Sequence, residues 1–324
     1  MKAIRVDRTG GPEVLQLVDV PEPVPGPGEA LVRQSAIGIN YIDVYVRTGL
    51  YKKPPPFTNG REGAGVVEAV GEGVTEVKPG DRVAYAATPN LGGYAEKNVV
   101  PARELVPIPD GVDDADACAV MLQGMTAHYL AHDTFPLHAG HVALVHAAAG
   151  GVGSLLVQLA KARGATVVAT VGTEDKAALA RGYGADHVIV YAEEDFADAT
   201  RALIGEHAVD VAYDSVGKET WERSLGLLRP RGMLVVYGNA SGPTPPIEPQ
   251  KLAAAGSVFF TRPTIVDYIR TRDELLRRAH DLFAALLAGK LRVRIGARYP
   301  LAEAAQAHRD LEARATTGKL ILVP

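Results

Sequence analysis

The stretch HVALVHAAAGGVGSLLVQLAKARGA, residues 141–165, decides the fold. An apolar run typical of a buried strand ends at a turn of small residues, and an apolar stripe at helical spacing follows directly. The stripe consists of Val152, Leu155, Leu156 and Leu159. A strand, a glycine-rich turn and a helix in immediate succession are typical of a unit that binds a pyrophosphate at the helix N-terminus.

The glycines of this turn have separate predicted tasks. Gly150 and Gly151 allow backbone N–H groups to approach a pyrophosphate, and Gly153 allows the helix to pack closely on the strand. Ala148 replaces the first glycine of the usual G-x-G-x-x-G pattern, so the turn alone would also fit another α/β protein. A second strand at Thr166 favours dinucleotide binding.

The rest of the chain predicts two domains, as its 324 residues exceed one ordinary core. Residues 139–263 alternate apolar runs with helical segments, which indicates a parallel sheet covered on both faces. Residues 1–122 consist of short β-like runs cut by Gly and Pro, which predicts a compact β-rich domain. We expect domains over 1–122, 123–263 and 264–324, the last completing the first.

Residues 264–324 contain one clear helix and a final strand. Leucine, alanine and phenylalanine recur at helical spacing along TRDELLRRAHDLFAALLAGK, residues 271–290. Thr271 and Glu274 predict a capping box at its start, and Gly289 a C-terminal cap. The tail KLILVP predicts a strand.

Composition excludes several classes of function. The net charge of −4, without a block of like charges, argues against nucleic acid and anionic membranes. The single cysteine, Cys118, excludes an internal disulfide and a multi-cysteine metal site, and fits a reducing cytosol. No apolar run approaches the ~18 residues of a membrane span. Because the chain also opens without an apolar signal segment, we expect a cytoplasmic protein.

The second strand of the dinucleotide unit, TVVATVGTEDK at residues 166–176, ends without an acid. An acid there would bond the ribose 2′-hydroxyl of NAD and repel the 2′-phosphate of NADP. Here Gly172 and Thr173 follow the apolar run, and Lys176 offers a cation to a phosphate. The two acids directly before Lys176 fit this interpretation only if they face solvent. The pattern favours NADPH, although Lys176 alone would fit a surface lysine.

Motifs along nearly the whole chain together resemble one family. They are RTGGPEVLQL (8–17), AIGINYIDVYVRTGLY (36–51), GREGAGVVEAVGEGV (60–74), KPGDRVAYA (78–86), HAAAGGVG (146–153), VGTEDK (171–176), YDSVGKETWERSL (213–225), YGNASG (237–242), TRP (261–263) and LEARATTGKLILVP (311–324). The chain resembles the zinc-independent quinone oxidoreductases, the ζ-crystallin-like branch of the medium-chain dehydrogenase/reductase superfamily. The resemblance implies a GroES-like β-rich catalytic domain and a six-stranded Rossmann domain that binds NADPH.

The resemblance also implies site residues. Those expected around NADPH are Asn40, Tyr41, Tyr45, Gly150, Gly151, Val152, Gly172, Thr173, Lys176, Tyr191, Ser215, Tyr237, Gly238, Asn239, Arg262, Pro263, Thr264 and Arg314. Those expected at the substrate pocket are Asn40, Tyr45 and Tyr51. Alternatives stay open, since Tyr41 and Tyr45 would also fit packing aromatics four apart on a helix.

Metal chemistry finds little support in the sequence. Arg61 precedes Glu62, where zinc-dependent dehydrogenases of similar layout carry a histidine, and no cysteine lies near. His128 and His132 are four apart without a following glutamate, a pattern more often of packing than of metal binding. His308 shares a helical face with apolar residues and is interpreted as a satisfied core or edge histidine. We expect no metal, and no catalytic acid stands out.

The expected reaction is reduction of quinones by NADPH. A quinone is a strong electrophile whose reduction requires no Lewis acid, so the protein need only orient a flat acceptor and exclude water. Tyr45 and Tyr51 are candidates for the pocket wall, and Asn40 could donate to a carbonyl oxygen. An enal or enone reductase remains an alternative, as does a non-enzymatic NADPH-binding structural or RNA-binding protein.

A homodimer is also expected. AAGSVFFTRP, residues 254–263, is interpreted as the last strand of the cofactor sheet, and its run Val258–Phe260 is apolar. An apolar edge strand left in water invites association. In the resembling family this edge pairs with its two-fold mate.

Overall fold

The computed structural model describes residues 1–88 and 91–324. These residues form two compact units, of which unit 1 is Met1–Met125 with Tyr268–Pro324 and unit 2 is Thr126–Asp267. The domain borders after residues 122 and 263 stay a prediction, and the compact units divide the chain a few residues later.

Along the chain, the strands of unit 2 follow the first eight strands of unit 1 and precede its last two. The strands of unit 1 are β1 (Lys2–Val6), β2 (Gln16–Asp19), β3 (Glu29–Ile39), β4 (Phe57–Thr58), β5 (Glu62–Val70), β6 (Arg82–Ala86), β7 (Lys97–Pro101), β8 (Val106–Pro107), β15 (Ile295–Pro300) and β16 (Lys319–Val323). Those of unit 2 are β9 (Val142–Val145), β10 (Thr166–Val171), β11 (His187–Val190), β12 (Val209–Asp214), β13 (Leu228–Val236) and β14 (Phe259–Thr261).

The helices follow the same division, apart from α2 and α8, in which the borders between the units fall. They are α1 (Tyr41–Thr48), α2 (Asp114–Tyr129), α3 (Gly151–Ala162), α4 (Glu174–Gly182), α5 (Phe196–Ile204), α6 (Trp221–Leu225), α7 (Pro249–Ala254), α8 (Ile265–Tyr268), α9 (Arg272–Leu287) and α10 (Ala304–Glu312). A π-helical turn, Leu130–Thr134, follows α2.

Unit 1 is built around the long strand β3. Its larger sheet has the order β15-β16-β3-β5-β6-β8, with β7 also paired to β3. Ala30 and Val32 of β3 pack in one core and Ile37 and Ile39 in another, because even and odd positions of a strand point to opposite faces. Antiparallel pairing sets Ile39 opposite Leu320 and therefore brings the C-terminal strand β16 beside β3. The β-rich first domain predicted from the sequence is confirmed.

Unit 2 contains the predicted six-stranded parallel sheet. Its strand order is β11-β10-β9-β12-β13-β14, and neighbouring strands pair in parallel. The order reverses at β9, which pairs with β10 through Val145 and Ala169 and with β12 through Val145 and Tyr213. This is the doubly wound Rossmann arrangement, in which ligands bind beyond the carboxyl ends of the strands where the order reverses. The fold class is confirmed.

The last strand of this sheet is shorter than predicted. β14 spans only Phe259–Thr261, and Ala254 already belongs to α7. Gly256 and Ser257 adopt positive φ angles of 104° and 55°, a left-handed backbone that cannot continue a strand. The predicted strand over residues 254–263 was therefore too long, because Gly256 lies in a turn.

The helix predicted in the C-terminal part is confirmed. α9 begins with the capping box of Thr271 and Glu274, in which the Thr271 side chain accepts from the Glu274 backbone. Gly289 takes a left-handed backbone with φ of 64° just beyond its end, as a terminating glycine should. The tail forms β16 as expected. Over the described residues, no helix is long and apolar enough to cross a membrane.

Candidate functional site

The predicted cofactor residues of unit 2 share one edge of the parallel sheet. Each group follows the carboxyl end of a strand: the glycine turn follows β9, Gly172 and Thr173 follow β10, and Tyr191 follows β11. Ser215, Tyr237–Asn239 and Arg262–Thr264 follow β12, β13 and β14 respectively. Because parallel strands end at the same edge, residues spread over more than 100 positions of the sequence lie along one crevice.

The glycine turn has the close approach that its glycines predict. Gly150 is the N-cap of α3, and the first turn of the helix contains no acid. A Cβ on Gly153 would lie 2.3 Å from the carbonyl oxygen of Ala147, so only glycine lets the helix pack this closely on the turn. Ala147 itself has a positive φ of 51°. The backbone N–H groups of this turn can serve a pyrophosphate.

The end of β10 is polar without a carboxylate in its own turn. Thr173 is the N-cap of α4, and its hydroxyl accepts from the Lys176 backbone N–H at 3.4 Å. Glu174 is exposed and pairs with Arg181 of the same helix, and Asp175 is exposed as well. The two acids thus meet the condition that the NADPH interpretation imposed on them. Lys176 is half-buried on the first turn of α4.

Gly172 and Tyr191 come together across neighbouring strand ends. A Cβ on Gly172 would lie 2.8 Å from the Tyr191 hydroxyl oxygen, so this glycine admits the tyrosine. Tyr191 is 44% exposed, so its ring is accessible from outside the sheet. Both residues were predicted beside the 2′-phosphate, and the structure places them together.

Just beyond the ends of β12 and β13, the two backbones approach each other closely. A Cβ on Gly238 would lie 2.3 Å from the carbonyl oxygen of Ser215, so glycine is required for this approach. Asp214, which the sequence analysis missed, organises the turn by accepting from the backbone N–H groups of Val216 and Gly217 at 2.7 and 2.9 Å. A buried acid that ends a strand before a Ser-Val-Gly turn is the signal that could have identified it.

The remaining predicted residues at this edge differ in their burial and in their local contacts. Burial raises the pKa of Tyr237 above its ordinary value, and the neighbouring Ser215 side chain opposes this shift. Asn239 and Thr264 are half-buried and exposed, respectively. Arg262 is exposed and donates to the carbonyl oxygen of the buried Pro263 at 3.3 Å.

In unit 1, three tyrosines form a ladder of rings on and beside α1. The ring centroids of Tyr41 and Tyr45 are 6.0 Å apart, and those of Tyr45 and Tyr51 are 5.3 Å apart. Helix α1 begins after Asn40, whose backbone N–H donates to the Asp43 carboxylate at 2.8 Å, and ends before Gly49, whose φ is 85°. These caps fix where the tyrosines stand. In this ladder, defined as Tyr41, Tyr45 and Tyr51, neighbouring rings are tilted by 39° and 59°, and Tyr45 is buried whereas Tyr51 is 37% exposed.

Two predicted residues connect to the C-terminal part of unit 1. The Tyr41 hydroxyl donates to the carbonyl oxygen of Leu311 at 3.1 Å, so α1 is tied to α10. Arg314 is exposed just beyond α10 and has a positive φ of 56°. Tyr41 and Arg314 therefore belong to one local assembly despite their distance in sequence.

Asn40 lies in a buried polar network that the sequence did not reveal. Its side-chain nitrogen donates to Glu62 at 2.7 Å, and its oxygen accepts from Lys319 at 2.9 Å and Gln123 at 3.1 Å. Lys319 also forms an ion pair with Glu62, and the Leu122 backbone N–H donates to the second Glu62 oxygen at 2.6 Å. Glu62, the residue after Arg61, is therefore held in a buried ion pair.

A second buried network supports α1 from its other face. Arg47 donates to Nδ1 of His308 at 3.0 Å, so the neutral imidazole carries its proton on Nε2, which lies 3.0 Å from the Tyr94 hydroxyl. Tyr94 in turn donates to Asp43 at 3.0 Å. The expected core role of His308 is confirmed.

Burial moves the pKa values of both ends of this network. It raises the pKa of Asp43 to about 7, against the hydrogen bonds from the Asn40 backbone and Tyr94 and the charge of Lys319. It lowers the pKa of His308 to about 3, and the Arg47 charge adds to that shift. Near neutral pH the histidine is neutral and Asp43 is partly protonated.

His128, His132 and Cys118 have packed surroundings. His128 and His132 stack with ring centroids 4.2 Å apart and an interplanar angle of 9°. Burial raises the pKa of the Cys118 thiol well above its ordinary value, which makes it a poor nucleophile. Across residues 1–88 and 91–324, no group of three or more His, Cys, Asp or Glu side chains is arranged to hold a metal ion.

Comparison with known proteins agrees with this geometry. One family model, described as Alcohol dehydrogenase GroES-like domain, matches residues 26–110, and another, described as Zinc-binding dehydrogenase, matches residues 151–285. A quinone oxidoreductase of Pseudomonas aeruginosa is 48% identical over 324 residues, covering 100% of this chain and 99% of that protein. The chain belongs to the quinone oxidoreductase family. This confirms the resemblance and places the chain in the medium-chain dehydrogenase/reductase superfamily.

Other members of the family bear on the ligands. The structure of Escherichia coli quinone oxidoreductase complexed with NADPH is 41% identical, has a TM-score of 0.97 and covers 100% of both chains. A 2-haloacrylate reductase of a Burkholderia species is 42% identical over 326 residues, covering 98% of each protein. Members of this family thus carry names of two related reductive activities.

Proposed function

We propose that this quinone oxidoreductase family member transfers a hydride from NADPH to quinones, without a metal. The observation that carries the proposal is the acid-free end of β10 in unit 2, which suits a phosphorylated dinucleotide. Within unit 1, the tyrosine ladder beside Asn40 suits a flat acceptor. The Escherichia coli relative in complex with NADPH supports the cofactor.

The residues of unit 2 fit NADPH. Gly150 and Gly151 carry no side chain between the backbone N–H groups of the turn and a pyrophosphate, whereas Gly153 lets α3 pack closely on the turn. Thr173 and Lys176 would hold the 2′-phosphate, with Tyr191 beside them. The remaining proposed contacts lie along the strand ends and in unit 1; they are Asn40, Tyr41, Tyr45, Gly172, Ser215, Tyr237, Gly238, Asn239, Arg262, Pro263, Thr264 and Arg314.

The chain's own residues contribute orientation more than acid–base chemistry. When bound, NADPH supplies the hydride. Tyr45 and Tyr51 hold the acceptor ring flat, and Asn40 donates to the acceptor oxygen on which negative charge develops. No side chain is assigned as a proton donor, because the hydroquinone anion is delocalised and can take its proton from water.

Reduction of activated alkenes is the second candidate. It is favoured by the 42% identity to a 2-haloacrylate reductase over nearly the whole chain. An enone or a haloacrylate also places developing negative charge on an oxygen that Asn40 could bind. The non-enzymatic RNA-binding alternative lacks support, because the net charge is −4.

A turnover assay separates these candidates. NADPH oxidation is followed with 1,4-benzoquinone, 9,10-phenanthrenequinone, a simple enal and 2-chloroacrylate, before and after dialysis against a strong chelator. We expect the quinones to give the highest kcat/KM and chelation to leave it unchanged. Faster turnover of the alkenes would favour the second candidate, and loss of activity together with stoichiometric zinc would refute metal independence.

We also propose a homodimer formed through β14, in the cytoplasm. β14 is the edge strand of the unit 2 sheet, and Phe259 on it is 58% exposed. Val258 beside it is buried, so the run is only partly covered within one chain. An exposed apolar edge is the surface that a two-fold mate would cover. Light scattering at micromolar concentration tests it, and a mass near 34 kDa, that of one chain, would refute it.

A further inference from the structure

The amide of Asn40 is part of a closed ring of three polar contacts. Lys319 donates to the Asn40 oxygen and pairs with Glu62, and the Asn40 nitrogen donates to the same Glu62 oxygen. All three side chains are shielded, with exposures of 4% for Asn40, 0% for Glu62 and 2% for Lys319. In such an environment each contact is electrostatically stronger than in water.

The ring allows only one orientation of the amide. A flip would turn the amide NH2 toward the Lys319 ammonium and the amide oxygen toward the Glu62 carboxylate. Donor would then face donor and acceptor would face acceptor, which is costly where water cannot compensate. The nitrogen and oxygen of Asn40 are therefore distinguished by charge and not only by hydrogen bonding.

The ring also determines what Asn40 can still offer. Its oxygen accepts from both Lys319 and Gln123, so both lone pairs are engaged. Its nitrogen carries two hydrogens, of which one goes to Glu62. Within residues 1–88 and 91–324, the other hydrogen has no acceptor. Asn40 can thus give a ligand one N–H, and it has no acceptor left to give.

The backbone of β3 makes room for this ring. A Cβ on Gly38 would lie 2.0 Å from the Glu62 carboxylate oxygen and 2.8 Å from the Lys319 side chain. Asn40 follows β3, Glu62 begins β5 and Lys319 begins β16, so three paired strands deliver the three groups. The ring is therefore set by the sheet and does not depend on a mobile loop.

We propose that Glu62 and Lys319 are positioning residues that hold Asn40 as an obligate donor to the acceptor's oxygen. This inference rests on the proposed function, in which Asn40 belongs to the substrate pocket. It implies a class of ligand: a carbonyl or oxyanion oxygen is bound, whereas a group that can only donate is not. Quinones, enals and hydroquinone anions meet that requirement.

The kinetic test is a double-mutant cycle with a neutral pair. Lys319→Met with Glu62→Gln removes both charges together, so no unpaired charge stays buried. We expect this pair to lower kcat with 1,4-benzoquinone about tenfold, with KM for NADPH unchanged. Asn40→Ala should lower kcat to a similar extent, and the triple variant should be no slower than Asn40→Ala alone. The proposal would be overturned if the kcat losses of Asn40→Ala and of the neutral pair multiplied in the triple variant. An unchanged kcat in the folded neutral pair would also overturn it.

A matched control comes from an exposed ion pair between the same two strands. Arg33 on β3 pairs with Glu68 on β5 at 3.1 Å, with side chains 56% and 30% exposed. Arg33→Met with Glu68→Gln should leave kcat and KM unchanged. A comparable loss in this control would assign the effect to the sheet in general and overturn the specific role of the buried pair.

A binding measurement separates failure of this inference from failure of the proposed function. 4-Nitrophenolate, a chromophoric oxyanion, is titrated into each variant in the presence of NADP⁺. We expect about tenfold weaker binding in both Asn40→Ala and the neutral pair. If quinones are not reduced but this pattern holds, the proposed function fails and the inference stands. Equal affinity in wild type and Asn40→Ala overturns the inference, whatever the turnover.

Discussion

Lys176 and Lys319 show two uses of the same side chain in one molecule. Lys176 lies half-buried on the first turn of α4 in unit 2, at the strand end where a ligand phosphate is proposed to bind. Lys319 is 2% exposed in unit 1 and is engaged by Glu62 and Asn40. A lysine near solvent can select a ligand by charge, whereas a buried lysine fixes the geometry of its neighbours. Substitutions at the two positions should therefore have effects of different size and kind.

The largest effect is expected at the buried lysine. Lys319→Met leaves the Glu62 carboxylate buried without its partner, which should lower the free energy of unfolding by about 3–5 kcal/mol. The neutral pair Lys319→Met with Glu62→Gln should recover most of that loss. Urea unfolding of the three proteins measures both differences. A single variant as stable as wild type would show that the buried pair does not behave as a coupled unit.

The edge of unit 2 should respond next. Phe259→Lys places a charge on β14 where an apolar side chain is 58% exposed. Loss of Phe burial at the proposed two-fold interface should weaken the proposed dimer by about 1.5–3 kcal/mol for each of its two copies. Analytical ultracentrifugation over a concentration series checks this. NADPH binding should persist in the variant, and an unchanged dimer constant would place the interface elsewhere.

The second buried network of unit 1 predicts two opposing dependences of stability on pH, which offset each other in the wild type. The pKa of Asp43 rises from 3.8 to about 7 on folding, so its contribution to stability is complete below pH 3.8 and is lost as pH rises through 7. The pKa of His308 falls from 6.5 to about 3, so stability rises with pH between those values. Between about pH 4.5 and 6 the two contributions oppose each other.

Single isosteric substitutions should expose each slope. In Asp43→Asn only the titration of His308 remains. The free energy of unfolding of this variant, relative to wild type, should therefore rise by about 1.4 kcal/mol per pH unit. The free energy of unfolding of His308→Gln, relative to wild type, should fall by a similar amount over the same pH range. Urea unfolding at pH 4.5, 5.2 and 6.0 provides the test. Parallel curves for all three proteins would contradict the assignment of the two titrations.

The local parts of both sites could be predicted from the sequence. The turn at Gly150–Gly153 and the cap at Thr173 depend on neighbouring residues, whose pattern is visible along the chain. The ring around Asn40 could not be predicted. Lys319 is separated from Asn40 by 279 positions and from Glu62 by 257, and no short motif marks it as a partner. Only the pairing of β16 with β3, which sets Leu320 opposite Ile39, brings them together.

The most direct test of the account is cofactor binding by three proteins. Dissociation constants for NADPH and NADH are measured by fluorescence titration for wild type, Lys176→Ala and the neutral pair at Glu62 and Lys319. We predict that wild type binds NADPH at least about tenfold more tightly than NADH, a difference of about 1.4 kcal/mol. Lys176→Ala should reduce that preference with NADH binding nearly unchanged, and the neutral pair should keep it. Equal affinities of wild type for the two cofactors, or loss of the preference in the neutral pair, would contradict the account.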